Sequence, residues 1–133
     1  MKAFLKFGLA AIIVVSTLLS SCGKYDDGPK ISLASKKGRL CRAWTTEKWI
    51  DGATGLEVAC TANCGSTEYK KEGTLYSNGV SVTGVTWQFS SDKSKLETVF
   101  GTIIFTKKIL RLTSKELWLK DEASGDQEHF KAI

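Results

Sequence analysis

Apolar and polar residues alternate in short runs from residue 40 to residue 133, and turn residues interrupt these runs at close intervals. Alternation of this kind, with many β-branched and aromatic side chains, is typical of strands that bury one face. No long helical period is present. Residues 31–40 have room for one short helical turn, and Gly38 disfavours a longer helix there. We predict strands at residues 41–50, 56–60, 67–71, 74–77, 80–89, 96–105, 109–112, 117–120 and 127–133.

The connections between these strands are short, and Asn78-Gly79 is the sharpest hairpin signal because both residues tolerate the positive φ of a two-residue turn. Strands joined by such short turns run antiparallel, since a parallel crossover needs a dozen or more residues. We therefore predict an all-β, up-and-down meander of about eight strands. It closes into a small barrel over residues 39–133, with a half-open sheet as the alternative.

The alternation also predicts which side chains point inward. Val85, Trp87 and Phe89 share one face of their strand, and Phe130 points inward on the last strand, which sends His129 outward. The inward aromatic residues would line a pocket for a hydrophobic molecule or, in the alternative, simply form the core of a small domain. These candidate pocket residues are Trp44, Trp87, Phe89, Phe100, Phe105 and Phe130.

Two further tryptophans, Trp49 and Trp118, have charged neighbours and are candidates for the outer face. An exposed tryptophan there would contact an envelope protein, a surface glycan or a membrane interface. This is the basis of a second functional hypothesis, in which the barrel is solid and the domain is an interaction module.

The N-terminal residues have the pattern of an export signal. Lys2 and Lys6 precede an uncharged, mostly apolar run at residues 7–19, which is shorter than the roughly 20 residues of a membrane span. Leu19-Ser20-Ser21-Cys22 follows and resembles the lipobox of bacterial lipoproteins. That resemblance implies a signal peptide at residues 1–21 and lipid on the Cys22 thiol, where several acyl chains hold the protein to a membrane. The alternative is an ordinary signal peptide with a chance cysteine.

Residues 22–38 are predicted to be a flexible tether. The pair Asp26-Asp27 is similar to the signal that places some lipoproteins on the outer face of Gram-negative cells, and it equally suits a solvated spacer. We expect a lipid-anchored protein of the outer membrane, which is exposed at the cell surface if Asp26-Asp27 acts as this signal.

The charged residues are spread along the chain, apart from one basic stretch near the predicted tether. The chain has 19 basic and 14 acidic side chains, and loss of residues 1–21 would remove Lys2 and Lys6 and no acid. No concentrated basic reading face is present, so we expect no nucleic-acid partner. A basic stretch near the tether would lie against anionic head groups or form a solvated face. It comprises Lys30, Lys36, Lys37, Arg39 and Arg42.

Three cysteines remain if Cys22 carries lipid, so they cannot all pair. A hairpin turn at residues 51–55 would bring Cys41 near Cys64, whereas Cys60 with Cys64 would close a tight loop, and both pairings stay open. Three thiols at this spacing, with the single His129 far away, match no ordinary metal site, and we predict none.

Catalytic motifs are absent from the sequence, and we predict no enzyme activity and no cofactor. There is no Ser, His and Asp motif, no phosphate loop and no paired-carboxylate signature. The acidic residues near the C-terminus are expected at a solvated hairpin tip: Asp121, Glu122, Asp126 and Glu128.

From residue 40 onward the order of features is similar to the lipocalin-like (calycin) domains of bacterial outer-membrane lipoproteins. The features are Arg42-Ala43-Trp44 in the first strand, a Gly-then-Trp strand at residues 83–89, a Ser-Asp-Lys-Ser turn at residues 91–94, and the closing residues 112–119. This resemblance implies a barrel that holds a small hydrophobic molecule. Two differences, Arg42 in place of a family glycine and a shorter chain, point to a shallower cup or one filled by its own side chains.

Overall fold

The structure, a computed structural model, describes residues 34–133. Within this range one helix precedes nine strands in chain order. The elements are α1 (Lys36–Leu40), β1 (Ala43–Ile50), β2 (Glu57–Ala59), β3 (Ser66–Tyr69), β4 (Thr74–Ser77), β5 (Val80–Phe89), β6 (Lys95–Phe100), β7 (Ile103–Leu112), β8 (Glu116–Lys120) and β9 (Gln127–Ala132).

The strands form one antiparallel sheet that closes on itself, because β1 pairs with β9 as well as with its sequence neighbours. This confirms the predicted all-β, up-and-down barrel. One edge of β1 pairs with β9, and its other edge is shared, with β2 opposite residues 48–50 and β3 opposite residues 43–45. The β2 and β3 strands therefore act as one interrupted strand of the wall.

Successive hairpin turns alternate between the two ends of a meander, so the turns define two ends of different character. We call one the closed end: it carries α1 and the turns at residues 70–73, 90–94 and 113–115. We call the other the mouth: it carries the turns at residues 51–56, 78–79, 101–102 and 121–126. The buried core is Leu40, Trp44, Tyr69, Trp87, Leu96, Ile109, Leu112, Leu117 and Leu119.

Helix α1 covers the closed end. Ser35 caps it by accepting a hydrogen bond from the N–H of Gly38 at 3.0 Å, and Leu40 at its last turn is completely buried. The indole of Trp44 donates to the carbonyl of Leu40 at 2.9 Å, which ties the helix to β1. The helix spans residue 39, where the barrel domain was predicted to begin.

The sequence-based boundaries were wrong in one region. Residues 96–105 were expected to form one strand and 109–112 another, but the chain turns at residues 101–102 and β7 continues without a break from Ile103 to Leu112. Gly101 has φ of +59° and allows the tight turn. The apolar residues on both sides of Gly101 read as one continuous strand and hid this signal.

A bulge in β1 changes the direction of the residues that follow it. Pairing with β9 is regular from Trp44 to Thr46 and resumes at Lys48, so Glu47 is the extra residue. Trp49 consequently lies opposite Glu128 and Val58 and shares the inner face with Trp44. The expectation that Trp49 faces outward, which rested on its charged neighbours, is corrected, because the bulge turns Trp49 to the inner face.

The cysteine pairing is resolved in favour of the tight loop. Cys60 and Cys64 form a disulfide across the connection between β2 and β3, and Cys41 is free. Cys41 lies near the closed end, where burial raises the pKa of its thiol while Lys37 and Lys71 oppose the rise.

Several sequence predictions fall outside the described residues: the signal peptide at 1–21, the lipid-bearing Cys22, the tether up to residue 33, Asp26-Asp27 and Lys30. Within residues 34–133, α1 is the helix the structure offers, and no helix there has the length and apolar character to cross a membrane.

Candidate functional site

The inner face of the barrel remains apolar toward the mouth, but there its side chains are uncovered. Phe105 lies across from Thr98, which lies across from the buried Trp87, so all three point inward. Phe105 is nevertheless 57% exposed, and Trp49 and Val58 on the opposite wall are 41% and 52% exposed. Phe100, two residues from Thr98 on the same strand face, is 53% exposed. The barrel is thus packed at one end and open at the other, which makes an apolar cup.

Polar groups form the floor of this cup. A small cavity of about 80 Å³ lies between the core and the mouth, and Phe105 lines it together with Tyr69, Lys107 and Glu128. The ammonium group of Lys107 lies 2.7 Å from a carboxylate oxygen of Glu128. Because about one third of each side chain remains exposed, this ion pair is reachable from inside the cup.

Tyr69 connects the floor to the core. Its ring packs edge-on against Trp87 with centroids 5.7 Å apart. Burial raises the pKa of the Tyr69 phenol strongly, and the negative charge of Glu128 raises it further. The hydroxyl therefore stays protonated at physiological pH and is a hydrogen-bond donor at the floor.

A larger cavity of about 290 Å³ opens above the floor at the rim. Trp49, Leu56 and Val58 form its apolar side, and Glu128 lines it as well as the small cavity. The shared Glu128 places the two cavities next to each other. An occupant of the rim could therefore reach the ion pair.

Two turns that share the pattern Asp-x-Ala-Thr/Ser-Gly form this part of the rim. Asp51-Gly52-Ala53-Thr54-Gly55 joins β1 to β2, and Asp121-Glu122-Ala123-Ser124-Gly125 joins β8 to β9. In each, the aspartate carboxylate accepts the backbone N–H groups two and three residues later, at 2.7–3.1 Å. The final glycine donates its N–H to the aspartate carbonyl and has positive φ. These hydrogen bonds lower the pKa of both aspartates.

The two turns pack against each other. The N–H of Gly52 donates to the carboxylate of Asp126 at 2.8 Å. Gly52 lies so close to the backbone of Ser124 and Gly125 that a Cβ atom there would overlap it. The contact thus joins the β1–β2 hairpin to the β8–β9 hairpin at the rim and keeps Trp49 and Val58 in place.

The predicted pocket residues divide into two groups. Trp44 and Trp87 are buried, and the indole N–H of each donates to a backbone carbonyl, of Leu40 and Lys70 respectively. Phe89 and Phe130 pack against this core. Only Phe100 and Phe105 lie at the open end, so the structure places two of the six candidates where an occupant of the cup would meet them.

The outer face is less open than the sequence indicated. Trp118 lies between Arg111 of β7, whose guanidinium is 5.2 Å from the ring centroid, and His129 of β9, whose ring stacks on it at 4.2 Å. His129 was expected to be a surface residue on this face. It does lie beside Trp118, but only 5% of it is exposed, because these neighbours cover it.

Sequence reasoning missed Tyr69, Lys107 and Glu128. Strict alternation back from Ile109 would have placed Lys107 on the inner face with Phe105, which was already predicted there, had β7 been drawn as one strand. Glu128 was assigned to an acidic hairpin tip, although it alternates with the inward Phe130. The second copy of the Asp-x-Ala-Thr/Ser-Gly turn was the available signal for the rim.

The arrangement suits reversible binding. It combines an apolar wall, a cation, an anion and a phenol at the floor, which are the elements that orient a small amphipathic molecule. Within residues 34–133 no three potential ligand side chains gather closely enough to hold a metal ion.

Comparison with known proteins supports the architecture. The fold is similar to the crystal structure of a lipocalin-like protein from Bacteroides uniformis ATCC 8492, with a TM-score of 0.55 and 15% sequence identity over 72% of this chain and 100% of that chain. This likeness shows a lipocalin-like fold. No family model matches the sequence, and no curated protein matches it.

Proposed function

We propose that the chain is a lipid-anchored envelope protein whose lipocalin-like domain binds one small hydrophobic molecule in the cup, without catalysing a reaction. The observation that carries the proposal is the exposure of the inner-face residues at the mouth, since Phe105 and Val58 are both more than half exposed. Apolar side chains that point inward yet remain uncovered are typical of a binding site rather than of a core.

The cup indicates the size and character of its ligand. Its rim cavity of about 290 Å³ lies at the lower end of the range for small-molecule sites, roughly 300–1,000 Å³. The ligand is therefore small, with an apolar body against Trp49, Val58 and Phe105. Its polar end points inward, where Lys107, Glu128 and Tyr69 offer a cation, an anion and a donor.

Native mass spectrometry of the gently purified chain tests the proposal most directly. We expect a discrete added mass that is lost on denaturation, and uptake of a fluorescent fatty acid by the emptied protein. A protein that carries no added mass and takes up no apolar probe would contradict the binding function. That result would favour the alternative, in which the domain is an interaction module that binds its partner through the outer face.

Phe105→Ala and Ile104→Ala form a matched pair for this experiment. The two residues are adjacent and equally exposed, at 57% and 55%, but they point to opposite faces of β7. Phe105→Ala should weaken probe uptake about tenfold, as expected for losing one aromatic contact, and Ile104→Ala should leave it unchanged. Equal effects of the two changes would show that the probe does not enter the cup.

Lipid attachment is tested separately. The lipobox Leu19-Ser20-Ser21-Cys22 supports it, and the Asp26-Asp27 pair supports an outer-membrane or surface location. We expect the membrane-extracted protein to begin at Cys22 and to carry the mass of a diacylglyceryl group and a further acyl chain. Cys22→Ser should abolish both processing and membrane association. A protein cleaved elsewhere, or recovered without lipid, would contradict the anchor.

A further inference from the structure

The two ends of the barrel carry opposite charge. Helix α1 and the three turns of the closed end contain six lysines and two carboxylates, whereas the turns of the mouth contain four carboxylates and no basic residue. The lysines are Lys36, Lys37, Lys70, Lys71, Lys93 and Lys115, and the carboxylates beside them are Glu72 and Asp92. The carboxylates of the mouth are Asp51, Asp121, Glu122 and Asp126.

The cations of the closed end differ in their surroundings: some bond to groups within the domain, and others are exposed to solvent. Arg39 is buried, with its guanidinium on the carbonyl of Ala34, and Arg42 donates to the carbonyls of Arg39 and Ser114. Lys70 pairs with Glu68. Lys37, Lys71 and Lys115, by contrast, are exposed. Turns far apart in sequence therefore supply much of the basic surface, which the basic stretch near the tether did not indicate.

The basic surface is concave and has an aromatic base. Lys37 and Lys71 line a depression of about 260 Å³ that reaches Trp87 and Phe89. A second depression of about 460 Å³, lined by Lys36, Lys37 and Lys93, shares Phe89 with the first. The Lys37 ammonium lies 5.9 Å from the centre of the Trp87 ring. The Glu72 carboxylate also lines the first depression, so two lysines face one anion there, whereas the second has three lysines and no carboxylate in its lining. Depressions of this size with an excess of ammonium groups can accommodate phosphate head groups.

The point at which the described domain begins indicates the partner. The chain enters the described domain at residue 34, directly before α1, and so at the closed end. Any anchor on residue 22 would hold this end within about a dozen residues of the membrane, a short reach for a flexible linker. With the anchor of the proposed function, the basic end would lie closest to that surface and the acidic mouth would be directed away from it.

We propose that the closed end docks on an anionic lipid surface through Lys36, Lys37, Lys71, Lys93 and Lys115, with phosphate groups in the two depressions, so that the mouth faces the aqueous side. A lysine near an anionic membrane contributes about fivefold in affinity, and the effect fades within a Debye length of about 10 Å. Docking fixes the orientation of the cup; it does not depend on which ligand the cup holds.

Vesicle binding of the chain that lacks residues 1–21 and carries Cys22→Ser tests docking apart from the lipid anchor. This chain keeps every described residue. We expect it to bind vesicles of phosphatidylglycerol and phosphatidylcholine at low salt, to dissociate as salt is added, and to ignore vesicles of phosphatidylcholine alone. Binding to both vesicle types, or to neither, would overturn the proposal.

Two charge-matched variants locate the surface. Lys37→Glu with Lys71→Glu reverses the closed end, and Lys108→Glu with Lys120→Glu reverses two cross-strand neighbours of the wall by the same net charge. The first pair should weaken binding at least twentyfold, at about fivefold for each lysine, and the second should change it far less. Equal losses of vesicle binding in the two variants would show that net charge alone governs binding, and would contradict the proposed docking surface. Thermal melts establish that both variants are folded.

Hydrogen exchange on the vesicles gives an independent view of orientation. We expect slowed exchange in α1 and residues 70–73 and unchanged exchange in residues 121–126. Protection of the mouth instead would reverse the proposed orientation.

Discussion

Tyr69 is the residue at which the packed core and the polar floor of the cup meet. Its ring packs in the core against Trp87, and the residue also lines the cavity that Lys107 and Glu128 share. A buried phenol beside a carboxylate resists ionisation for two reasons: the anion is poorly solvated and it is repelled. The Tyr69 hydroxyl is thus a hydrogen-bond donor over the physiological pH range. Its pKa depends on the charge of the groups at the floor of the cup.

We predict that Tyr69 does not ionise at the alkaline pH at which exposed tyrosines do, because burial raises its pKa strongly. Glu128→Gln should lower the pKa of Tyr69, since it removes the nearby negative charge that opposes ionisation. Ultraviolet titration of tyrosinate, with Tyr69→Phe to assign the signal, measures both effects. A Tyr69 pKa that is unchanged in Glu128→Gln would show that the carboxylate does not face the phenol.

The carboxylates of Asp51 and Asp121 predict how acid affects the rim. Hydrogen bonds within the turns lower both pKa values, so the stability that these groups contribute is present above the unfolded pKa, about 3.9. It is lost as pH falls through the lower folded values. The melting temperature of the native chain should exceed that of Asp51→Asn/Asp121→Asn at neutral pH.

This difference should shrink as pH falls below about 4, toward the folded pKa values. Glu47→Gln, a change at the bulge that leaves both turns intact, serves as the control and should follow the native chain. A difference in melting temperature that is constant with pH would contradict the role of the two ionised carboxylates.

At the scale of elements, the paired turns form a clasp, a contact that joins the β1–β2 hairpin to the β8–β9 hairpin. Two glycines in the first turn have different tasks: Gly52 provides space against the backbone of Ser124 and Gly125, whereas Gly55 has φ of +72° and open space around its Cα. Gly52 is therefore required by packing between elements, and Gly55 by the conformation of its own turn.

We predict that Gly52→Ala destabilises the domain by about 1–3 kcal/mol, the usual cost of forcing atoms into a filled space. It should also weaken probe uptake, because β2 carries Val58 to the wall of the cup. Gly55→Ala should cost about 1 kcal/mol through its left-handed backbone and leave uptake unchanged. Chemical denaturation and probe titration on both variants measure these effects. Equal loss of uptake in the two would show that the clasp does not position the wall.

The same scale shows how far the sequence predicts the structure. Alternation and turn residues were sufficient for the β4–β5 hairpin at Asn78-Gly79 and for the closed meander. They failed at the bulge of β1, where one extra residue moves Trp49 to the inner face, and at Gly101, where apolar residues continue across a turn. Both failures arise because register depends on pairing with distant strands, which local patterns do not contain.

The cup shows the same limit. Phe105 could be placed on the inner face from its own strand, but the ion pair of Lys107 with Glu128 joins β7 to β9 across 21 positions of sequence. No spacing rule connects the two residues. They meet because the barrel closes, and so the polar floor emerges only with the complete fold.

At the scale of the whole molecule, packing decreases from the closed end to the mouth. The completely buried side chains Leu40, Trp44, Leu112 and Leu117 lie near α1 and the adjoining turns, whereas Phe100, Ile103 and Phe105 near the mouth are each more than half exposed. Regions with few buried contacts open locally at lower free energy than the core. The molecule therefore combines a stable base with a mouth whose stability a ligand can raise.

This gradient predicts a pattern of hydrogen exchange in solution. Without ligand, amides of β1 near Trp44 and of β7 near Leu112 should exchange slowest, and those of β2 and the β6–β7 turn fastest. A ligand in the cup should slow exchange selectively at the mouth, because it supplies the contacts that Phe105 and Val58 lack. The closed end should gain only the smaller, global stabilisation of binding. A uniform slowing across all strands, with no excess at the mouth, would place the bound molecule outside the cup.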